Sequence, residues 1–267
     1  MRSRKLINVN SSDRTTGTDS KFAIKVSLPS QHRFNRICLV KAMLPKSWYT
    51  VQEGQNRLTL HEGETSTVVE LLPANYNRKS LAVDLSEALT NASPHGYTYA
   101  ITYPNAMIHG DDGKYVFSVD SHDLVVALEV PDQKTSNMFE LLGFNPGSIN
   151  TFTDGSLKSA NVVKIQNEDT VRIHCNVCDN NGDDVLAEIY ALSSPTFSNV
   201  VYECPDLLSC SRPLTNKTNA MFEFSLTNEA NVPLSLNGLN YVFEILLFEE
   251  VDLSSKDLVE HAKRAGL

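Results

Sequence analysis

The chain has 267 residues, 41% apolar and 21% charged, with a formal net charge of −9. That length suits one large domain or a main domain with an insertion, and the acidic balance argues against strong nucleic-acid binding, because phosphate contacts need clustered Lys and Arg. No stretch reaches the ~18 apolar residues of a membrane span, the N-terminus lacks the apolar segment of a secretory signal, and five cysteines are too few and too odd in number for a disulfide framework. An intracellular, reducing place of synthesis is expected, and without a secretory route the sequons at Asn10, Asn91 and Asn216 carry little meaning.

In chain order, "INVNSSDRTTGTDSKF" is polar and reads as an extended arm over 1–21. "FAIKVSL" alternates Phe22, Ile24, Val26 and Leu28 against Ala23, Lys25 and Ser27, the pattern of a half-buried strand. "FNRICLVKAMLP" (Phe34–Pro45) predicts a longer, more buried strand. "NRLTLHE" and "STVVELL" form a hairpin candidate around Gly63. Leu81, Leu85, Ala88 and Leu89 recur at helical spacing within Asn77–Asn91, with Asn77 as N-cap and Pro94 beyond the end. Short strands resume at Tyr97–Tyr103, Lys114–Val119 and Asp123–Val130, followed by a helical turn at Ser136–Phe144 closed by Gly143. "NVVKI", "TVRIHCNV", "DVLAEIYA", "NVVYECP", "NAMFEFSLT" and "NYVFEILLFEEVDL" continue the strands. Strands spaced every 10–15 residues with turn signals between them predict a sandwich or barrel. Ser254–Leu267 carries a narrow stripe of Leu258, Val259 and Ala262, which predicts a short amphipathic helix.

The stretch with most apparent chemistry is "RIHCNVCDNNGDD", with His174, Cys175, Cys178 and Asp179. On a continuous strand, residues three apart point to opposite faces, so Cys175 and Cys178 are expected to be separated, with Cys175 in the core. Cys204 and Cys210 do not repeat the C-x-x-C spacing that a zinc knuckle needs. In a calcium-loop frame starting at Asp179, position six is Asp184 and position twelve is Tyr190, where Gly and Glu are required. The Asn181–Gly182 pair instead matches a two-residue hairpin turn. The seven histidines are scattered, and no nucleophile elbow, zinc-protease, P-loop or dinucleotide motif occurs. The acidic pairs Asp111–Asp112 and Asp183–Asp184 fall in turns, where Asp is favoured for backbone reasons. No catalytic, cofactor-binding or metal-ligating residue is assigned. "YECPDLLSCSRP" (Tyr202–Pro213) reads either as a connecting loop or as a partner contact that covers Leu207 and Leu208.

Five stretches in order carry a resemblance: "INVNSSDR", "FNRICLVKAMLPKSWYTV", "ANYNRKSLAVDLSEALT", "MFELLGF" and "LNYVFEILLFE". Together they resemble the penton (vertex minor capsid) proteins of virophages and of related polinton- and adintovirus-type elements, over roughly residues 5–250. The resemblance implies an all-β fold: a single jelly-roll sandwich with a small α/β insertion, here followed by a short C-terminal helix. The corresponding division is an arm at 1–21, a jelly roll at 22–73 and 146–253, an insertion at 74–145 and a tail at 254–267. The implied role is structural rather than enzymatic. Homopentamers would close the five-fold vertices of an icosahedral virion, against a major capsid protein of double-jelly-roll type, after synthesis in the host cytoplasm. Ring closure of that kind uses a heterologous interface. The alternative is a β-sandwich binding carbohydrate or a host receptor through exposed aromatics among Trp48, Tyr49, Tyr97, Tyr99 and Tyr103. A hydrolase with paired carboxylates brought together only by folding is the third reading.

Overall fold

The computed structural model describes residues 3–29, 33–105, 107, 110–120, 123–132, 136–165, 170–179, 182–215 and 221–250. The expected C-terminal helix at 254–267 lies outside them. By its internal contacts the chain divides into two compact units, residues 1–48 with 168–267 and residues 49–167. The strands β1 (Arg4–Asn10), β2 (Thr16–Gly17), β3 (Lys21–Lys25) and β4 (Arg36–Pro45) open the first unit. The second holds β5 (Arg57–Glu62), β6 (Thr65–Glu70), α1 (Arg78–Ala92), β7 (Tyr99–Thr102), β8 (Val116–Val119), β9 (Val126–Glu129), α2 (Met138–Leu142), β10 (Ile149–Thr151) and β11 (Ser156–Lys158). The chain then returns to the first unit with β12 (Thr170–Cys175), β13 (Val185–Tyr190), β14 (Asn199–Glu203), β15 (Arg212–Pro213), β16 (Met221–Asn228) and β17 (Val242–Phe248).

The first unit is a jelly roll. One sheet runs β1-β17-β4-β14, with β15 also on β4, and the other runs β13-β12-β16-β3-β2. All these pairings are antiparallel, and apart from the β12–β13 and β2–β3 neighbours each strand pairs with one distant in sequence, the signature of nested Greek keys. Both sheets contribute to one core, with Val9, Ile37, Leu39, Phe243 and Ile245 from the first and Phe22, Ile24, Ile173, Phe222 and Phe224 from the second. Phe224 and Phe243 meet edge to face at 4.9 Å across this core.

Strand β4 shows how a run without strict alternation is accommodated. Ile37 and Leu39 are buried on one phase, Ala42 and Leu44 on the other. The register with β17 shifts between Glu244 and Ile245, which oppose Lys41 and Leu39, so Val40 is the extra residue of a bulge. The bulge returns both apolar pairs to the same core and turns Lys41 and Met43 outward, on the side where alternation already places Cys38.

The second unit has two antiparallel sheets, β10-β9-β5-β6 and β11-β8-β7. They pack with the helices around Leu58, Leu60, Leu81, Leu85, Leu89, Phe117 and Leu142. The Asn77 side chain caps α1 by accepting from the Lys79 and Ser80 amides, and the Ser80 hydroxyl completes a capping box. Leu81, Leu85 and Leu89 are buried as the spacing predicts, and Ala88 packs beside them. Helix α2 ends in a Schellman motif, with the Phe144 amide donating to Phe139 O (2.8 Å) and Gly143 left-handed at φ 72°. Among the described residues no helix is long and apolar enough to cross a membrane.

Several expectations are corrected. Residues 4–10 are not a free arm, because β1 pairs along its whole length with β17. The 57–70 hairpin, assigned from sequence to the jelly roll, pairs with β9 in the second unit. That unit begins at residue 49 and ends at 167, so the expected insertion bounds of 74 and 145 both fall inside it. "NVVKI" forms no strand: Val163 is buried, but the Val163 and Lys164 amides donate to Gly113 O and Glu140 O rather than to a ladder.

Candidate functional site

The stretch 172–184 sits on the second sheet of the jelly roll. Strand β12 ends at Cys175, and the Cys178 amide donates back to Cys175 O (3.1 Å), so the chain turns at Asn176–Val177. Cys178 then bridges to Leu214. The turn brings Cys178 back inward, and both cysteines lie in the same core, which overturns their expected separation. Alternation failed as a guide because the strand stops between them. Burial pushes both thiols up, Cys178 to about 12, with the Asp184 carboxylate acting in the same direction. The Cys178 thiol donates to Asp184 O (3.1 Å). Asn180 and Asn181 lie outside the described residues. With β12 ending at Cys175 and β13 beginning at Val185, the link is longer than the two-residue hairpin expected.

His174 is next to Cys175 on the strand and so points to the opposite, outer side of the sheet. It is nonetheless buried, with ring nitrogens 2.6 Å from Asp184 Oδ1 and 2.8 Å from Thr227 Oγ1. Among the described residues His174, Asp183 and Asp184 are the group whose ligand atoms all lie within 4.8 Å of one another. The carboxylates are exposed, and both ring nitrogens already have protein partners. This arrangement ties the β13 approach to β12 and β16. It borders a depression of about 720 Å³ lined by Thr16, Lys21, Asn176 and Glu223. Cys175 and Cys178 face away from it, so the four residues of the apparent motif do not converge.

The outer face of the first sheet carries a different feature. Register places Val201 opposite Met43, Met43 opposite Val242, and Val242 opposite Asn10. The three apolar side chains form an exposed row across neighbouring strands, with Val201 67% and Met43 45% exposed. The next row is polar: Glu203, Lys41, Glu244 and Asn8, with Lys41 Nζ 3.4 Å from Glu203 Oε1. A depression of about 430 Å³ lies over these rows. Further along the same face, Cys38, Leu246 and Phe248 are buried beneath Leu207 and Cys210 of the 204–211 loop. Leu207 is thus partly covered within the chain, whereas Leu208 is 52% exposed.

Two of the stretches that carried the sequence resemblance meet here. Ser11 of "SSDR" is fully buried; its amide donates to Tyr241 O (3.0 Å), and its hydroxyl accepts from the Tyr241 amide (3.0 Å). Arg14 donates to Ser11 O (2.8 Å) and to Asn240 Oδ1 (3.1 Å). The "SSDR" segment therefore locks the turn after β1 to the lead into β17.

No family model and no curated protein matches the chain. Among solved structures it is similar to the crystal structure of selenomethionine-labelled mavirus penton protein. The match has 8% identity and a TM-score of 0.48, and it covers 92% of this chain and 99% of that one.

The aromatics required for a glycan-binding surface are placed otherwise. Trp48 is wholly buried in the jelly-roll core, and Tyr99 is buried in the second unit, where its hydroxyl donates to Glu62 (2.7 Å). Tyr49, Tyr97 and Tyr103 are half-buried. Glu62 is the polar residue that the sequence reading missed. It is fully buried and also accepts from Ser93 Oγ (2.7 Å) and the His95 amide (3.3 Å). Its signal was its place on the inward phase of β5, after Leu58 and Leu60.

Proposed function

We propose that this chain is a structural capsid subunit of a virion, five copies of which close an icosahedral vertex beside a major capsid protein of double-jelly-roll type. The observation that carries this reading is the exposed Val201–Met43–Val242 row on the outer face of a jelly-roll sheet. A contiguous apolar row in water is costly and is relieved when a neighbouring subunit covers it. In a closed ring the covering surface is a different patch of the next copy. The ordered sequence resemblance points the same way. The pinning of β1 against β17 also supports it, because it anchors the N-terminal segment within one subunit.

The test is the mass distribution of the purified full chain by light scattering and single-particle imaging. Five-copy rings are expected, and Met43→Glu with Val201→Lys should disperse them to monomers while the far-ultraviolet spectrum stays unchanged. A chain that remains monomeric at all concentrations and does not join shells of a double-jelly-roll protein would overturn the reading.

A further inference from the structure

The cysteines of the first unit were set aside in the sequence as too few for a disulfide framework, and folding gathers three of them on one face. Cys38 alternates with the inward Ile37 and Leu39 and so leaves β4 on its outer side, where it is wholly buried. Its sulfur lies 3.6 Å from that of Cys204, although the two are 166 residues apart in sequence. The Cys204 amide donates to Val40 O (2.8 Å), fixing the start of the 204–211 loop against β4. Cys210 packs on the same small apolar cluster, with Leu246 and Phe248.

We propose that Cys38 and Cys204 are a disulfide-forming site that fastens the edge loop to the centre of the first sheet when the protein meets a peroxide-class oxidant. Cys204 is partly exposed whereas Cys38 is buried, so within this pair an oxidant reaches the Cys204 sulfur first. Its thiolate attacks the peroxide O–O bond and becomes a sulfenic acid, and the displaced hydroxide leaves as water. The Cys38 sulfur then forms the S–S bond, displacing the sulfenic hydroxyl, which takes the Cys38 proton and leaves as a second water. Two thiols and one hydrogen peroxide thus give one disulfide and two waters. Burial holds both thiols above their ordinary range, so the site is slow and remains reduced under reducing conditions. Bond formation requires the sulfurs to close from 3.6 Å to about 2.05 Å. With the Cys204 amide held on Val40 O, the closure falls to the two side chains.

The experiment treats the folded full chain with hydrogen peroxide, blocks remaining thiols in denaturant and maps the products without reduction after digestion with trypsin and Glu-C. The expected product links the 37–41 peptide, which contains Cys38 alone, to the 204–217 peptide. It should form in wild type and in Cys210→Ser and be absent in Cys204→Ser. The melting temperature should rise by about 4–8 °C on oxidation and fall back with dithiothreitol. Three results would each overturn the proposal: no linked peptide in folded wild type, a bond confined to the 204–217 peptide, or a link lost in Cys210→Ser.

Discussion

Replacing Tyr99 by Phe isolates the buried carboxylate of the second unit. The Tyr99 ring is 3% exposed and packs edge to face on Phe152 at 6.2 Å, contacts that Phe retains. What is lost is the hydroxyl donating to Glu62 Oε1 at 2.7 Å, leaving Glu62 with the Ser93 hydroxyl and the His95 amide. Hydrogen bonds to charged groups contribute about 1.5–3 kcal/mol, and a buried acceptor cannot replace the donor with water, so a loss of about 2 kcal/mol is expected. For a chain of this size that corresponds to a melting temperature lower by about 4–8 °C. Urea unfolding followed by circular dichroism measures it, with an unchanged m-value showing that the unfolded surface is the same. Glu62→Gln gives the second corner of a double-mutant cycle, in which the two changes should couple because they remove one contact. A Tyr99→Phe loss below about 0.5 kcal/mol, or strict additivity with Glu62→Gln, would refute the view that this carboxylate is held by its donors.

Gly143→Ala should cost about 3 kcal/mol by the same assay. The residue sits at φ 72°, which costs an L-residue about 1–2 kcal/mol, and an added Cβ would lie 2.4 Å from Asn161 O. Alkaline titration should be cooperative. Burial raises Tyr76, Tyr99, Tyr115, Tyr202 and Tyr241 above their ordinary value of 10, and the Glu62 carboxylate adds to the shift at Tyr99. Their neutral forms therefore contribute full stability below about pH 10, and this is lost as the pH climbs above it, because the unfolded chain releases those protons first. Tyrosinate absorbance should appear for these groups together with unfolding; independent titration in a folded protein would contradict their burial.

Local pattern carried much of the architecture. The alternation of Phe22, Ile24, Val26 and Leu28 gave a correct inner face even though β3 itself stops at Lys25. Helix α1 was legible because its cap and apolar spacing are properties of adjacent residues. β1 was missed because its outward positions, Leu6 and Asn8, are exposed and the segment ends in hydroxyl and amide residues. Its strand character comes from the β17 ladder rather than from its own composition. The apparent metal stretch misled for a related reason: periodicity holds only while a strand lasts, and nothing between Cys175 and Cys178 announced the turn. Glu62 could have been identified from the β5 alternation, but its donors arrive from residues 93, 95 and 99, beyond any local window.

By itself the sequence determined that the chain is built mostly of short strands, where α1 begins and ends, and which side of most strands is apolar, because these follow from backbone geometry and neighbouring side chains. Only the tertiary structure decided which strands pair beyond the β5–β6 hairpin, that the break into a second unit comes after Trp48, and that three scattered cysteines share one surface. Partner choice depends on burying whole faces against each other, and that free energy belongs to residues as far apart as Cys38 and Cys204 rather than to any one segment.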